Sequence, residues 1–386
     1  MKKIMTFIIA AVTALFAAVF PPIEGNCAGE PQVSALAAVL ISADTGEIVY
    51  SVNCDKKLPM ASTTKIMTTL LCLESGDLDE EFTVDREAIK VEGSSMGLQE
   101  NDIVTKYALC CGMLLPSGND AANAAAVKIA GSIEAFADMM NERAAEIGMT
   151  RTHFVTPSGL EGEGHGSSAY DMALLAREAL KNETFLEICS SKSIKLSFGN
   201  PPYERWLSNT NKLLDMYDGV YGVKTGFTDE AGRCLVSACE RGGVRLICVT
   251  LNDKNDWNDH MAMYDYGFGV MHSISPEIPE CIELNVVGAD CERVSAAASG
   301  EPVKIATTEE SLSEFAYEIV APPFVYAPVA AGDELAQLRV TYKNREVCRI
   351  PLYAQEDCSA PVHEKKTDSG KNPFKKALDK LRSFFS

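Results

Sequence analysis

The fold is decided by the stretch Leu58-Pro59-Met60-Ala61-Ser62-Thr63-Thr64-Lys65-Ile66-Met67, which places a serine three residues before a lysine at the head of an apolar run. A helix from Ser62 to about Glu74 puts both side chains on one face, so the amine of Lys65 reaches the hydroxyl of Ser62. A serine attacks well only when a base takes its proton. A lysine is such a base only when burial or a second cation lowers its pKa. The stretch predicts a serine nucleophile, with Lys224 as the candidate second cation.

Two later triplets complete a pattern with this pair. Ser117-Gly118-Asn119 lies between two helical patterns, at about 103–115 and 119–131. Lys224-Thr225-Gly226 closes a predicted strand at 219–225, the first of three strands that continue at 233–240 and 243–251. Each triplet alone is typical of a turn or a strand end. Together, in this order, they resemble the S-x-x-K, S-D-N and K-T-G motif set of class A β-lactamases and penicillin-binding proteins, with Ser-Gly-Asn as the middle element here.

Longer stretches resemble the low-molecular-weight penicillin-binding proteins of the serine-type D-alanyl-D-alanine carboxypeptidase family. They are Ala61–Met67, Ser117–Ala121, Ser167–Ala173 and Asp218–Gly232. The similarity spans roughly residues 30–275. It implies an α+β fold, in which a β-lactamase/transpeptidase-like domain with an antiparallel sheet, flanking helices and a helical subdomain precedes a small all-β domain and a C-terminal amphipathic helix.

The resemblance also implies the catalytic roles. Ser62 would attack the carbonyl between the two terminal D-alanines of a peptidoglycan stem peptide, with Lys65 as the base. Ser117 would relay a proton to the departing amine. The acyl-enzyme would then be hydrolysed by water. A β-lactam such as penicillin would acylate Ser62 and leave slowly.

The implied binding residues surround these three. Asn119 would hydrogen-bond Lys65 and the substrate amide. Lys224 would hold Lys65 partly neutral and attract the terminal carboxylate, to which Thr225 would donate its hydroxyl proton. Gly226 would let the peptide lie against the strand edge. The backbone N–H groups of Ser62 and Phe227 would form the oxyanion hole.

Two positions depart from the family pattern. Phe227 stands where many relatives carry histidine, which matters little if the role belongs to its backbone N–H. Lys254 lies near the place where many relatives carry arginine, and a lysine lacks the bidentate fork of arginine. Two alternative functions stay open from the sequence. One is a β-lactamase, although 161–165 lacks a Glu-x-x-x-Asn pattern, and the other is a non-catalytic penicillin sensor or wall-peptide-binding protein.

The beginning of the chain predicts export. Lys2 and Lys3 precede an apolar run from Ile4 to Phe20, as in a signal peptide, which we assign to residues 1–28. An uncleaved membrane anchor is the alternative. Either way, we expect the body on the outer face of the cell membrane.

Composition excludes several function classes. The net charge of −19 argues against nucleic acid as a partner. The five histidines are scattered and no cysteine cluster has metal-ligand spacing, so we predict no metal and no cofactor. Most of the 13 cysteines lie in apolar runs and are interpreted as core residues. The candidate disulfides are Cys281–Cys291 and Cys348–Cys358.

The pattern changes after about residue 275. The preceding residues, 29–275, are assigned to the catalytic domain. Short β-branched segments follow, so 276–360 is predicted to be a small β domain. Residues 361–386 are assigned to a linker and a helix, and the segment from Lys365 onward carries seven Lys or Arg and two Asp. Apolar side chains of 373–386 fall on one helical face, which is typical of a helix that binds an anionic membrane surface.

Overall fold

The computed structural model describes residues 29–276, 278–300, 302–308 and 313–360. The chain divides into two compact units, of which the first comprises the residues up to 276 together with 302–315. The second unit comprises 277–301 and the residues from 316 onward. The predicted signal peptide, 1–28, and the predicted linker and helix, 361–386, lie outside the described residues.

The secondary structure of both units is given in chain order. The strands are β1 (Ala37–Ser42), β2 (Ile48–Val52), β3 (Glu81–Thr83), β4 (Ile103–Thr105), β5 (Ser193–Gly199), β6 (Pro202–Ser208), β7 (Val220–Thr228), β8 (Gly232–Arg241), β9 (Val244–Leu251), β10 (Met271–Ile274), β11 (Ile282–Val287), β12 (Arg293–Ala298), β13 (Ile305–Thr308), β14 (Phe315–Val320), β15 (Val325–Tyr326), β16 (Glu334–Tyr342) and β17 (Arg345–Ala354). A 3₁₀ turn, Ala61–Thr64, precedes the helices α1 (Lys65–Glu74), α2 (Lys106–Leu114), α3 (Asn119–Ala130), α4 (Ile133–Ile147), α5 (Ala169–Ala179), α6 (Glu183–Ser190), α7 (Leu213–Met216) and α8 (Asp256–Val270).

A five-stranded antiparallel sheet organises the first unit, in the order β2-β1-β9-β8-β7. The predicted hairpin at its start forms, and Gly46 adopts the positive φ of +74° that its turn requires. Helix α8 packs on one face of the sheet, and α5 packs against β1 and β9 with the other helices beyond it. The α+β fold predicted from the sequence is therefore confirmed. Strand β7 lies at the edge of the sheet.

Local sequence signals set the helix boundaries as predicted. Ser168 caps α5 by accepting a hydrogen bond of 3.1 Å from the backbone N–H of Asp171. Gly148 ends α4 in the left-handed conformation, at φ +89°. Five alanines from Ala121 to Ala126 in α3 are buried, so the backbone of this helix packs closely against its neighbours, as their small side chains predict. Helix α6 and the hairpin of β5 and β6 were not predicted. Most residues of that hairpin are exposed, so apolar and polar residues alternate only weakly along its strands and the sequence pattern did not indicate them.

Strand β13 belongs to the first unit, although the sequence placed its segment within the 276–360 domain. It pairs with β10, and two groups near the end of β1 hold it. The hydroxyl of Ser42 donates to the carbonyl of Ala306 at 2.9 Å, and the backbone N–H of Ala306 donates to Asp44 Oδ2 at 2.7 Å. These long-range hydrogen bonds draw the segment back to the first unit.

The second unit is built on a six-stranded sheet in the order β14-β16-β17-β12-β11-β15. The predicted disulfides are wrong, because Cys291 pairs with Cys358, at a Cα separation of 6.2 Å. Antiparallel pairing of β12 with β17 explains this choice, since it brings the residues before β12 next to those after β17. Across the described residues, no helix has the length and apolarity needed to cross a membrane.

A buried polar network fixes α8 to the sheet beside β7. Ser237 Oγ lies 2.6 Å from His260 Nδ1 and 2.6 Å from the hydroxyl of Tyr264. Thr250 Oγ1 lies 3.0 Å from His260 Nε2. Burial lowers the pKa of His260 to about 3, so the ring is neutral and one of its nitrogens donates while the other accepts. Each of these buried side chains therefore has a hydrogen-bond partner within the protein and needs no water.

We expect Ser237→Ala to destabilise the first unit, because it leaves two buried polar groups without their partner. The free energy of unfolding should fall by about 1–3 kcal/mol, measured by urea titration. Ser197→Ala, on the exposed face of β5, is the matched control and should change stability little. Equal stability of the two variants would contradict this account of the network.

Candidate active site

Ser62 lies in the 3₁₀ turn that leads into α1, rather than in the α-helix itself. Side chains three residues apart eclipse each other in a 3₁₀ turn, which brings Ser62 and Lys65 together as predicted. The carbonyl of Met60 holds the turn by accepting from Thr63 N at 3.2 Å and from Thr63 Oγ1 at 2.6 Å. Ala61 adopts φ +47°, an uncommon left-handed conformation for alanine. The backbone is thus constrained next to Ser62.

The amine of Lys65 is surrounded by three oxygens. Its Nζ lies 2.8 Å from Ser62 Oγ, 2.7 Å from Asn119 Oδ1 and 2.6 Å from the carbonyl of Ser158. The last two oxygens only accept, so they fix two N–H groups of a neutral amine. Its lone pair is then directed at the hydroxyl of Ser62. This arrangement can take the proton of Ser62.

Burial and charge explain why Lys65 can be neutral. The side chain is fully buried, which lowers its pKa well below the ordinary value. The charge of Lys224 lowers this pKa further, and Asp120 opposes it. Lys224 is itself 1% exposed, and burial lowers its pKa to about 7. Lys224 is therefore a buried amine whose charge acts on Lys65.

The Ser117-Gly118-Asn119 triplet forms the turn into α3. Ser117 has φ +66°, which is uncommon for a residue with a side chain, and lies two residues before the amide that contacts Lys65. Asn119 is anchored at its backbone N–H, which donates to Ser94 O, and at Nδ2, which donates to Glu92 O, both at 2.7 Å. These bonds leave Oδ1 directed at Lys65.

Strand β7 passes directly beside the serine turn. A Cβ atom added to Gly226 would lie 3.1 Å from the backbone nitrogens of Ser62 and Thr63 and from the carbonyl of Met60. Glycine is thus the residue that permits this close approach. Phe227 follows it at the strand edge, with a side chain that is 63% exposed. The strand edge and the N–H of Ser62 therefore share one cleft.

The long loop 153–168 forms another wall of the site, as its glycines and Pro157 predicted. The carbonyl of Pro157 accepts from Thr68 Oγ1 at 2.6 Å. Gly159 has φ +86°, and a Cβ there would lie 2.0 Å from Ala61 O. His165 Nδ1 accepts from Val155 N at 3.0 Å, so its Nε2 carries the proton that is donated to Thr64 Oγ1 at 3.1 Å. The loop is thus fastened to the serine turn.

Sequence reasoning missed three contributors. The carbonyl of Ser158 is a backbone group, and only its place in a loop predicted to border a site pointed to it. Asp120 accepts from the backbone N–H groups of Met96, Gly97 and Leu98 at 2.9–3.1 Å and so orders the loop that holds Asn119. The hydroxyl of Thr210 lies 2.7 Å from that of Thr225, which no motif indicated.

The structure shows where the candidate cation Lys254 lies, and it places Arg233 next to Phe227. Lys254 is exposed beyond β9. Arg233 on β8 is the cross-strand partner of Phe227, and its guanidinium donates to both oxygens of Asp256 at 2.7 and 2.8 Å. The sequence did not point to Arg233.

Comparisons with known proteins agree with this geometry. The family model Peptidase_S11, described as D-alanyl-D-alanine carboxypeptidase, matches residues 24–255. The D-alanyl-D-alanine carboxypeptidase DacF of Bacillus subtilis is 33% identical over 370 residues, which cover 92% of this chain and 95% of that protein. The D-alanyl-D-alanine carboxypeptidase DacC of Escherichia coli is 32% identical over 347 residues, which cover 85% of each.

Solved structures give the same result. The D-alanyl-D-alanine carboxypeptidase DacD from Francisella tularensis has a TM-score of 0.61 and 26% identity, over 86% of this chain and 96% of that one. Penicillin binding protein 5 from Haemophilus influenzae has a TM-score of 0.61 and 26% identity, over 85% of this chain and 98% of that one. With its three motifs gathered in one cleft and its match to the family over most of its length, this chain belongs to the Peptidase_S11 family, the D-alanyl-D-alanine carboxypeptidases.

Proposed function

We propose that this serine D-alanyl-D-alanine carboxypeptidase uses Ser62 as its nucleophile and Lys65 as the base, and removes the terminal D-alanine of peptidoglycan stem peptides. The observation that carries the proposal is the distance of 2.8 Å between Ser62 Oγ and the fully buried amine of Lys65. A neutral amine at that distance activates a hydroxyl that is otherwise inert.

In the first half-reaction, Ser62 Oγ bonds to the carbonyl carbon between the two D-alanines while its proton passes to Lys65. The oxygen of that carbonyl becomes negative and is held by the backbone N–H groups of Ser62 and Phe227. The C–N bond then breaks, and Ser117 relays the proton from Lys65 to the departing amine. D-alanine leaves, and an ester on Ser62 remains.

The substrate is oriented by the strand edge. Lys224 attracts the terminal carboxylate, and Thr225 donates its hydroxyl proton to it. Gly226 supports this role because its missing side chain leaves the nitrogen of Ser62 open to the peptide carbonyl. The Nδ2 group of Asn119, 2.7 Å from Glu92 O, retains a second N–H for the substrate amide.

In the second half-reaction, water replaces D-alanine. Lys65, neutral again after the proton relay, takes a proton from the water as the water oxygen bonds to the ester carbonyl carbon. The bond between that carbon and Ser62 Oγ then breaks, Lys65 returns the proton to Ser62 Oγ, and the shortened peptide leaves with a new carboxyl group. A β-lactam presents its strained amide to the same groups. It would acylate Ser62 by the same steps.

Release of D-alanine from diacetyl-Lys-D-Ala-D-Ala separates the candidate activities. We expect the full chain to release D-alanine catalytically, and Ser62→Ala to lose at least about 10³-fold in kcat, because the nucleophile is gone. Labelled benzylpenicillin should attach to the wild-type chain and not to Ser62→Ala. Rapid turnover of penicillin without D-alanine release would identify a β-lactamase. A single acylation without D-alanine release would identify a sensor.

The pH profile of kcat/KM tests the electrostatics of the lysine pair. On the acid side of the profile, activity falls as Lys65 becomes protonated, because only the neutral amine is a base. Since the pKa of Lys65 is lowered, this acid limb should lie at a pH well below the ordinary lysine pKa. In Lys224→Gln, one positive neighbour disappears, so the pKa of Lys65 rises and the acid limb should move to higher pH by roughly one unit. The loss of carboxylate attraction should lower kcat/KM by about 10²-fold.

Lys181, 62% exposed and paired with Glu178 at the end of α5, gives a control for Lys224→Gln. Lys181→Gln removes the same charge from the protein surface and should leave the acid limb in place. An unshifted limb in Lys224→Gln would mean that Lys224 does not set the pKa of Lys65.

We further propose that the protein is exported and attaches to the outer face of the cell membrane through residues 373–386. The proposal rests on the sequence alone, namely the signal-like beginning and the basic, amphipathic pattern of the tail. Both segments lie outside the described residues.

Vesicle co-sedimentation tests the membrane attachment. The chain beginning at residue 29 should sediment with vesicles that contain anionic phosphatidylglycerol, and less so in high salt, because screening weakens the attraction. The same chain ending at residue 360 should stay in solution. Equal binding by both chains would place the membrane contact elsewhere.

A further inference from the structure

The hydroxyl of Thr210 is in contact with the proposed carboxylate-binding hydroxyl. Thr210 Oγ1 lies 2.7 Å from Thr225 Oγ1, although the two residues are separated by α7. The backbone N–H of Thr210 also donates to Leu115 O at 3.3 Å, in the turn that precedes Ser117. Thr210 thus connects the Ser-Gly-Asn turn with the Lys-Thr-Gly strand at one end of the cleft.

The two neighbours of Thr210 hold it in place. Asn209 Nδ2 donates to the carbonyl of Cys189 at 3.1 Å. On the other side, Asn211 Nδ2 donates to the carbonyl of Gly222 at 2.9 Å, within β7 itself. Side chains on both flanks therefore anchor the segment, and the hydroxyl between them has a fixed position relative to β7. Such support is what a positioning residue requires.

The direction of the hydrogen bond decides what Thr225 can do. A hydroxyl has one proton to donate and can also accept. Thr210 Oγ1 lies 2.7 Å from Thr225 Oγ1, a contact in which either hydroxyl can donate, and 3.4 Å from Leu115 O, which can only accept. A carboxylate bound to Thr225 takes the proton of Thr225, so the contact between the two hydroxyls then holds only with Thr210 as the donor. When Thr210 donates to Thr225, the proton of Thr225 remains available for another acceptor. An anionic carboxylate is the strongest acceptor that the proposed substrate offers.

We propose that Thr210 is a positioning residue that donates its hydroxyl proton to Thr225 and thereby directs the proton of Thr225 to the terminal carboxylate of the substrate. This inference rests on the proposed function, in which Thr225 binds that carboxylate. Thr210 acts through Thr225 and makes no bond to the substrate. Its contribution is the same in the ground state and in the transition state, so it affects binding rather than chemistry.

The variant Thr210→Val tests this role because valine keeps the shape and removes the hydroxyl. We expect the KM for diacetyl-Lys-D-Ala-D-Ala to rise about five- to tenfold, with kcat within about twofold. Acylation by benzylpenicillin should slow by the same factor as kcat/KM. Acylation by benzylpenicillin methyl ester, which lacks the carboxylate, should not change. Thr210→Ser should restore the KM for the peptide and the rate of acylation by benzylpenicillin. Ser208→Ala removes an exposed hydroxyl two residues earlier and should have no effect on either quantity.

A double-mutant cycle tests whether the effect passes through Thr225. In the Thr225→Val background, Thr210→Val should cause no further loss, because the proton that it directs is absent. An undiminished loss in that background would mean that Thr210 contacts the substrate itself. Equal slowing of benzylpenicillin and its methyl ester would mean that Thr210 only supports the fold. Either result overturns the inference.

The wild-type chain separates this inference from the proposed function. If benzylpenicillin does not acylate wild-type Ser62, the proposed function fails. If the wild-type chain prefers benzylpenicillin to its methyl ester and Thr210→Val retains the full preference, the proposed function stands and only the role of Thr210 is wrong. A thermal unfolding midpoint equal to that of the wild type shows that the valine variant is folded.

Discussion

The site depends on the burial of two lysine amines in one cleft. Removing an ammonium from water is costly, and placing two near each other adds repulsion. The chain accommodates them by making the neutral form of Lys65 favourable: the carbonyl of Ser158 and the amide oxygen of Asn119 occupy its two N–H groups. The same environment that disfavours charge on Lys65 leaves its lone pair directed at Ser62. Burial thus supplies the base that the proposed mechanism requires.

Bringing these groups together requires unusual backbone geometry at several places. A side chain on Gly159 would collide with the backbone of Ala61, and one on Gly226 would crowd the backbone of the serine turn. Ser117 and Ala61 have positive φ values although they are not glycines. Such conformations cost free energy and persist only where the surroundings hold them. The hydrogen bonds around Met60, Asp120 and the 153–168 loop supply that constraint at the cleft.

The sequence predicted what side-chain identity and local spacing encode. Ser62, Lys65, Asn119 and Lys224 carry recognisable chemistry in recognisable order, and the hairpin and helix ends follow from their turn and cap residues. The carbonyl of Ser158 has no such signature, since every residue has one. The contact between Thr210 and Thr225 depends on how β6 and α7 lead into β7. The prediction of the disulfides failed for a similar reason. Cys291 pairs with Cys358 because β12 lies next to β17, and the order of strands in a sheet cannot be read from local sequence.

The proposed role of Lys65 as a single base accounts for how one cleft could process a peptide and be blocked by a β-lactam. If Lys65 assists both half-reactions, the second requires that water reach the side of the ester from which the amine departed. D-alanine is a free molecule after the first step and vacates that space. The amine of a cleaved β-lactam ring stays covalently attached to the acyl group, so it remains next to Lys65 and Ser117 and excludes water. Slow deacylation then follows from the connectivity of the inhibitor and needs no further group on the protein.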